Sequence, residues 1–157
     1  MSDGLSGAEI TVQFATRKPA VPRAAELRAW AKAALAGHGT DNNDPVQLAI
    51  RIVGETEGTQ LNEHWRGKQG PTNVLSFPVT DLEHIAPGLI GDIVICAPVV
   101  AREAVAQGKD LSAHWAHMII HGTLHLLGYD HIKADQAAEM ERLETRILES
   151  LGYPDPY

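Results

Sequence analysis

Residues 112–131 read SAHWAHMIIHGTLHLLGYDH, and this stretch contains a predicted buried helix and five histidines. At about 100° per residue, a helix over Ser112–Leu127 places its four histidines within an arc of about 80°. Apolar side chains cover the rest of its surface, and a helix that is apolar nearly all round is buried in a core. The polar stripe then needs partners, because buried polar groups without them are costly. The histidines are His114, His117, His121 and His125.

Two of these histidines are predicted to bind a metal ion. His121 and His125 are four residues apart and share one face of the helix. Gly128 can end the helix in a left-handed conformation, so that the following turn brings His131 back toward the pair. Three protein ligands with one open position are typical of a catalytic zinc site, although Ni²⁺, Co²⁺ or Cu²⁺ would also bind three imidazoles. We therefore predict one Zn²⁺ per chain.

The other two histidines are not predicted to be ligands. His117 and His125 are eight residues apart, which is about 12 Å along a helix axis. That distance is too long for one ion with metal–nitrogen bonds near 2 Å. His117 is expected to hydrogen-bond within the core beside the site. His114, near the helix start, is expected at the surface or in contact with solvent.

The histidine spacing equals that of the zinc-protease signature H-E-x-x-H-x-x-G-x-x-H. Gly122 occupies the position where those proteases carry their general-base glutamate. The pattern therefore favours a hydrolase site without the protease base, and a peptidase remains a minor alternative.

Length and composition are typical of a soluble globular protein. The chain has 157 residues, 44% hydrophobic and 21% charged, and residues 1–157 are expected to form a single domain. No apolar run approaches the roughly 20 residues needed to span a membrane, and Met1–Leu5 has no export-signal character. Cys96 is the single cysteine; it fits a reducing compartment and is interpreted as a core residue. A cytoplasmic location is expected.

The charge balance is acidic, with a formal net charge of −7. This argues mildly against a protein that coats nucleic acid, since such proteins carry a basic surface, but it leaves room for a local basic cleft. Acidic residues concentrate on the last predicted helix, whereas Arg51, Arg66 and Lys68 lie in the middle of the chain. The distribution is compatible with an anionic substrate. The acidic residues are Asp135, Glu139, Glu141, Glu144 and Glu149.

Hydrophobic periodicity predicts strands and helices in alternation, followed by helices only, which indicates an α/β fold. Gly37–Pro45 is predicted to be a loop, and prolines on both sides of the third strand favour an edge or terminal position. The strands are predicted over Glu9–Ala15, Val46–Val53, Pro71–Pro78 and Leu89–Cys96, and the helices over Pro22–Leu35, Thr56–Trp65, Pro98–Gln107, Ser112–Leu127 and Asp135–Leu151.

His121–His131 reads H-G-T-L-H-L-L-G-Y-D-H. It resembles the H-G-x-L-H-L-x-G-Y-D-H signature of the YbeY family of metal-dependent endoribonucleases. Leu61–Lys68 followed by Pro71–Pro78 resembles its L-N-x-x-[YW]-R-x-K and P-T-[DN]-V-L-S-F-P blocks, and Gly91–Ile95 resembles its G-D-I-x-I strand. Met140-Glu141 through Glu144, with the ending Leu151-Gly152-Tyr153, resembles its last helix. The motifs cover most of residues 61–153 in family order.

The resemblance implies a fold, an activity and a set of partners. It implies a small mixed four-stranded sheet with one antiparallel strand, packed around a central helix that bears the first two ligands of a zinc ion on His121, His125 and His131. It also implies cleavage of single-stranded RNA in 16S rRNA 3′-end maturation and in ribosome quality control. The partners implied are rRNA, the small ribosomal subunit and an assembly GTPase, with no role for DNA or a membrane.

RNA cleavage also needs protein groups that stabilise the negative charge developing on the phosphate. Bound zinc can lower the pKa of water to about 7 or polarise a phosphoryl oxygen, and a cation is expected opposite it. Arg66 is the candidate catalytic residue, because guanidinium offers a planar, permanently charged fork and Arg66 stands at the family's arginine position. The alternative is an exposed arginine that favours the helix dipole. Lys68 either holds the RNA backbone or is simply solvated.

Each of three further residues has two possible roles. Asp130 either orients a metal ligand or only forms the turn, and Ser76 and Asn73 either line the cleft or hydrogen-bond to backbone groups. No residue of the motif is an evident general base. A non-catalytic ribosome-assembly factor, with zinc bracing the core, is the main alternative to an enzyme, and a cleft that holds both the metal site and Arg66 would discriminate the two.

Overall fold

The computed structural model describes residues 8–39, 45–79 and 88–157. The strands are β1 (Ala8–Phe14), β2 (Val46–Val53), β3 (Val74–Pro78) and β4 (Leu89–Cys96); the helices are α1 (Ala24–His38), α2 (Glu55–Arg66), α3 (Ala97–Gln107), α4 (Leu111–Leu126) and α5 (Ala134–Ser150). All the predicted elements are present, with bounds that differ by up to three residues at either end. The predicted loop at Gly37–Pro45 begins later, because α1 continues to His38, and residues 40–44 lie outside the described part.

The four strands form one mixed sheet in the order β1-β2-β4-β3. Strands β1, β2 and β4 are parallel, and β3 pairs antiparallel with β4. Strand β3 is therefore the antiparallel edge strand, as the flanking prolines and the resemblance predicted. Because helices connect the parallel strands, helices can cover both faces of the sheet.

The two faces of the sheet carry different helices. Along β4, Ile93 and Ile95 face the larger core, which includes side chains of α1, α4 and α5. Val94 and Cys96 face a smaller cluster on the opposite side, where Leu61 of α2 and Val99 of α3 pack. This alternation follows from the two-residue period of a strand. Cys96 is 2% exposed, as predicted for a core residue.

Helix α4 occupies the centre of the larger core. Trp115, Ile119, Ile120 and Leu124 have no exposed surface, which confirms the burial predicted from a helix that is apolar nearly all round. In the described residues, no helix has the length and apolar character needed to cross a membrane. Burial fixes the rotation of α4. Its histidine stripe then faces α3 at the start of the helix, Glu144 in the middle of α5, and a cleft beside the edge strand β3.

Candidate metal centre

Three histidines meet where α4 ends. The nitrogen atoms that His121, His125 and His131 offer as ligands all lie within 4.8 Å of one another. The ring centroids are 4.6 Å apart for His121 and His125, 5.0 Å for His125 and His131, and 5.6 Å for His121 and His131. Tetrahedral zinc with bonds near 2 Å needs ligand nitrogens about 3.3 Å apart. The donor set therefore fits a zinc ion with small side-chain movements.

The turn after α4 brings the third histidine to this place. Gly128 has a φ of 104°, the left-handed conformation predicted for it. Its N–H donates to the carbonyl of His125 at 3.0 Å, and the N–H of Tyr129 donates to that of Leu124 at 3.1 Å. These are the two hydrogen bonds of a Schellman helix end. Asp130 completes the turn, because its Oδ1 accepts a hydrogen bond from the N–H of His131 at 2.7 Å.

A buried glutamate on α5 contacts two histidines of α4. Oε2 of Glu144 lies 2.5 Å from Nδ1 of His121, and Oε1 lies 3.0 Å from Nε2 of His117. The hydroxyl of Tyr157 donates a short hydrogen bond to Oε1. Burial alone would raise the pKa of Glu144, but hydrogen bonds from His117, His121 and Tyr157 lower that pKa to about 2. Glu144 is therefore an anion near neutral pH, and His117 hydrogen-bonds in the core as predicted.

The surroundings of His125 favour its neutral imidazole form. Burial lowers the pKa of His125, and the neighbouring rings of His121 and His131 lower it further. A neutral imidazole is the form that binds a metal ion. Because Nδ1 of His121 faces Glu144, Nε2 is the nitrogen that remains for a metal in the three-histidine group.

An open cleft of about 380 Å³ borders the three histidines. Its other walls come from α2, from the segment before β3, from β3 itself and from the turn after α4. Among the lining residues are Arg66, Asn73, Ser76 and Asp130, all of which were candidates from the sequence. Lys68 is exposed and does not line this cleft. A larger groove of about 810 Å³ lies between the end of α1 and α5, away from the three histidines.

The end of α2 positions Arg66 in this cleft. Gly67 ends the helix with a φ of 67° and leaves Arg66 as its last residue. The buried Asn62 donates to the carbonyl of Gly70 at 2.8 Å, and Glu63 accepts from the N–H of Gly70 at 3.2 Å. These bonds hold the loop that continues to β3. Within the described residues the Arg66 guanidinium makes no side-chain hydrogen bond or ion pair, so its donors are free for an anion.

Two other cleft residues have mainly structural partners. Ser76 donates to the carbonyl of Gly122 at 3.1 Å and thereby links β3 to α4. Asn73 donates to both carboxylate oxygens of Glu103, at 3.0 and 3.2 Å. Both residues therefore line the cleft and satisfy polar groups at the same time.

The prediction for His114 was wrong. His114 is 2% exposed, and its Nε2 lies 2.9 Å from Oε1 of Glu103. Helix α3 packs beside the start of α4 and covers this ring, and a single-helix pattern cannot show which neighbour covers it. Burial lowers the pKa of His114, although Glu103 opposes the shift.

The sequence analysis gives Glu144 no functional role and counts it only among the acidic residues of the last predicted helix. The buried positions of α5 are 140, 143, 144, 147 and 148, a spacing typical of one apolar face. Glu144 is the carboxylate within that face, flanked by Leu143 and Ile147. A charged residue at a core position needs a buried partner, and this signal was available from the sequence.

Gly122 leaves no room for a protease-type base. A Cβ atom at this position would lie 3.0 Å from Cγ2 of Ile93 and 3.2 Å from Cγ2 of Val74. The missing side chain would point into the sheet, where α4 packs closely on β3 and β4. The absence of a glutamate therefore reflects the packing of the central helix.

Comparison with known proteins gives concordant matches over most of the chain. The sequence model of a family described as "Endoribonuclease YbeY" matches residues 11–152. A Pseudomonas syringae pv. tomato protein named "Endoribonuclease YbeY" is 53% identical over 152 residues, which cover 95% of this chain and 87% of the relative. A Nitrosococcus oceani protein of the same name is 49% identical over 150 residues, covering 94% of this chain and 95% of the relative.

A solved structure supports the fold independently. The solution structure of a Thermotoga maritima protein superposes with a TM-score of 0.63 and covers 91% of this chain and 89% of that protein. The two sequences are 24% identical, so this likeness concerns the fold alone.

Proposed function

The chain belongs to the YbeY endoribonuclease family, and from this premise we propose that it is a zinc-dependent endoribonuclease specific for single-stranded RNA. Its proposed role is rRNA processing, including 16S rRNA 3′-end maturation, and ribosome quality control. The observation that carries the proposal is the position of Arg66 in the same cleft as His121, His125 and His131. A zinc that only braced the core would need no open cleft and no unpaired arginine beside it.

We propose that the three histidines hold one zinc ion and that Arg66 is the catalytic cation. When bound, zinc supplies Lewis acidity toward a phosphoryl oxygen or a water of lowered pKa. The guanidinium of Arg66 approaches the phosphate from the α2 side of the cleft and neutralises the charge that grows on its oxygens. Its planar fork can donate two hydrogen bonds to one phosphate. Asn73 and Ser76, already fixed to Glu103 and Gly122, keep the opposite wall in place.

The open shape of the cleft favours a flexible, single-stranded substrate. A flexible single strand can bend so that one phosphate reaches both the imidazoles and Arg66. With a formal net charge of −7, general attraction to nucleic acid is weak, and the contribution of local contacts is correspondingly larger. This favours RNA binding through a few close contacts to phosphate groups and not through an extended basic surface.

The remaining parts of the proposal concern the setting of the reaction. Residues 1–157 are proposed to act as a single hydrolase domain in the cytoplasm. The proposed partners are rRNA, the small ribosomal subunit and an assembly GTPase, with no part for DNA or a membrane.

A substrate panel tests the proposed function. Zinc-loaded protein is incubated with an end-labelled single-stranded RNA, the same RNA in a duplex, and a single-stranded DNA of the same sequence. Cleavage of the single-stranded RNA alone is expected, with loss of activity in a chelator and in His125→Ala. Arg102→Ala removes an arginine of α3 that pairs with Glu55 outside the cleft, and it should cleave the single-stranded RNA like wild type. Zinc binding without any RNA cleavage would instead favour the non-catalytic assembly factor.

A further inference from the structure

The search for an unassigned role leads to Glu144. Of the described residues, it is the carboxylate with 0% exposure. It lies on α5, behind the three-histidine group as seen from the cleft that Arg66 lines. A buried carboxylate is costly unless its lone pairs are satisfied, and here both oxygens have donors.

We propose that Glu144 is a positioning residue for the metal centre, and this inference rests on the metal binding assigned above. Glu144 accepts the proton of His121 Nδ1, which fixes the tautomer and the orientation of the ring with Nε2 toward the cleft. His117 and Tyr157 hold the carboxylate in that position. Carboxylates that hold a ligand histidine in this way raise its basicity and commonly contribute 10- to 100-fold to metal affinity.

The division of contacts between the two oxygens supports this role. Oε2 faces His121 at 2.5 Å, whereas Oε1 receives His117 at 3.0 Å and the hydroxyl of Tyr157. Rotation of the carboxylate would break contacts on both sides at once. A single helix pair, α4 and α5, therefore determines the direction of the His121 ring.

A metal ion bound directly by His117, His121 and Glu144 is a different arrangement of the same atoms. Their ligand atoms also lie within 4.8 Å of one another. However, such an ion would take Nδ1 of His121, and His117 and Glu144 are 7% and 0% exposed. All three histidines line the open cleft, whereas the smaller cavity of about 270 Å³ that His121 and Glu144 line does not include His117. An ion therefore reaches all its ligands without rearrangement of the core only in the three-histidine group. The hydrogen-bonded arrangement is therefore favoured.

Tyr157 links the metal centre to the segment after α5. The segment is held on the body of the protein by Lys109, whose Nζ donates to the carbonyl of Pro156 at 2.7 Å, and by a 3.1 Å contact between the hydroxyls of Ser112 and Tyr153. The Tyr157 ring also packs edge-on against His117, with centroids 5.4 Å apart. Although 62% of Tyr157 is exposed, its hydroxyl reaches the buried carboxylate. This segment is thus part of the outer support of the site.

Zinc affinity of three variants tests the inference. Affinity is measured by competition with a chromophoric chelator, and the fold of each metal-free protein is checked by circular dichroism. Glu144→Gln is expected to bind zinc about 10- to 100-fold more weakly, and Tyr157→Phe a few-fold more weakly. Glu149→Gln, which changes an exposed carboxylate on the same helix, is the matched control and should bind like wild type. Folded Glu144→Gln and Tyr157→Phe proteins within twofold of wild type would overturn the inference.

The protonation of His121 provides a second, independent readout. Long-range ¹H–¹⁵N NMR of zinc-loaded wild-type protein is expected to show the proton of His121 on Nδ1. A proton on Nε2 would overturn the inference and indicate zinc in the His117, His121 and Glu144 group; this result decides the question even if Glu144→Gln does not fold. Neither measurement involves RNA. A wild-type protein that binds no zinc would contradict the proposed function, whereas unchanged affinity in the variants would contradict only the role of Glu144.

Discussion

Nδ1 of His121 and Oε2 of Glu144 lie 2.5 Å apart, although the two residues are 23 positions apart in the chain. The contact joins the central helix α4 to α5 at the place where the histidine stripe faces the cleft. Nδ1 of His121 therefore faces Glu144 in the core, and Nε2 is the ring nitrogen that remains available to a metal ion. The direction of this ring therefore depends on how two helices pack, and not on the local motif alone.

The first prediction concerns metal content. Wild-type protein is expected to bind about one equivalent of zinc, and His125→Ala should lose it, because two imidazoles hold zinc much more weakly than three. Affinity should fall as the pH decreases, because protons compete with the metal ion for the imidazole nitrogens. Metal analysis after gel filtration measures both effects. His38→Ala, outside the three-histidine group, is the control, and full metal retention in His125→Ala would contradict the ligand assignment.

The second prediction concerns Gly122. Gly122→Ala should destabilise the fold, because its methyl group would lie 3.0 Å from Cγ2 of Ile93 and 3.2 Å from Cγ2 of Val74. Overpacking of this kind costs about 1–3 kcal/mol, and we expect it to exceed the roughly 1 kcal/mol by which alanine is favoured over glycine inside a helix. Gly54→Ala is the matched control, since a Cβ atom there meets nothing within 4 Å. Urea unfolding measures the difference in the free energy of unfolding. Equal stability of the two variants would show that α4 has room at this position.

A related expectation concerns peptidase activity. Wild-type protein should leave casein uncut under conditions in which single-stranded RNA is cleaved, because position 122 faces the sheet and offers no general base. Fluorescent casein measures this, with His121→Ala as the control for a contaminating protease. Proteolysis by wild type that disappears in His121→Ala would contradict the ribonuclease assignment.

The fourth prediction concerns the pH dependence of stability. Burial lowers the pKa of His114 in the folded state, while the unfolded chain keeps a value near 6.5. As the pH falls below about 6.5, the unfolded state gains protons first, so His114 makes the folded state less stable toward acid. His114→Gln should therefore lose less stability between pH 7.5 and pH 5 than wild type. Urea unfolding in a chelator measures this, and an equal or larger loss in the variant would refute it.

The sequence predicted the parts of the site that depend on one helix and its end. His121 and His125 follow from helical periodicity, and Gly128 follows from the chemistry of helix ends. Arg66 is predicted to be the catalytic cation because a phosphate needs a cation and because the surrounding residues resemble a family motif. Its presence in the cleft depends on the packing of α2 against the sheet, which periodicity does not specify.

The contacts of His114 and Glu144 could not be assigned in the same way. Each depends on a second helix, α3 for His114 and α5 for Glu144. A pattern along one helix shows which face is buried, but it does not show which residue of another helix lies against it. The core spacing around Glu144 nevertheless indicated a buried charge before any partner was known.

The central claim is that Arg66 and the three histidines act on one phosphate in one cleft. Single-turnover cleavage of a short single-stranded RNA by zinc-loaded Arg66→Ala tests it most directly. The variant should retain its fold and zinc and cleave about 10²–10³-fold more slowly, and Arg66→Lys should recover only part of the rate because an ammonium lacks the bidentate fork. A rate for Arg66→Ala within a few-fold of wild type would contradict the account and leave Arg66 as an exposed residue at a helix end.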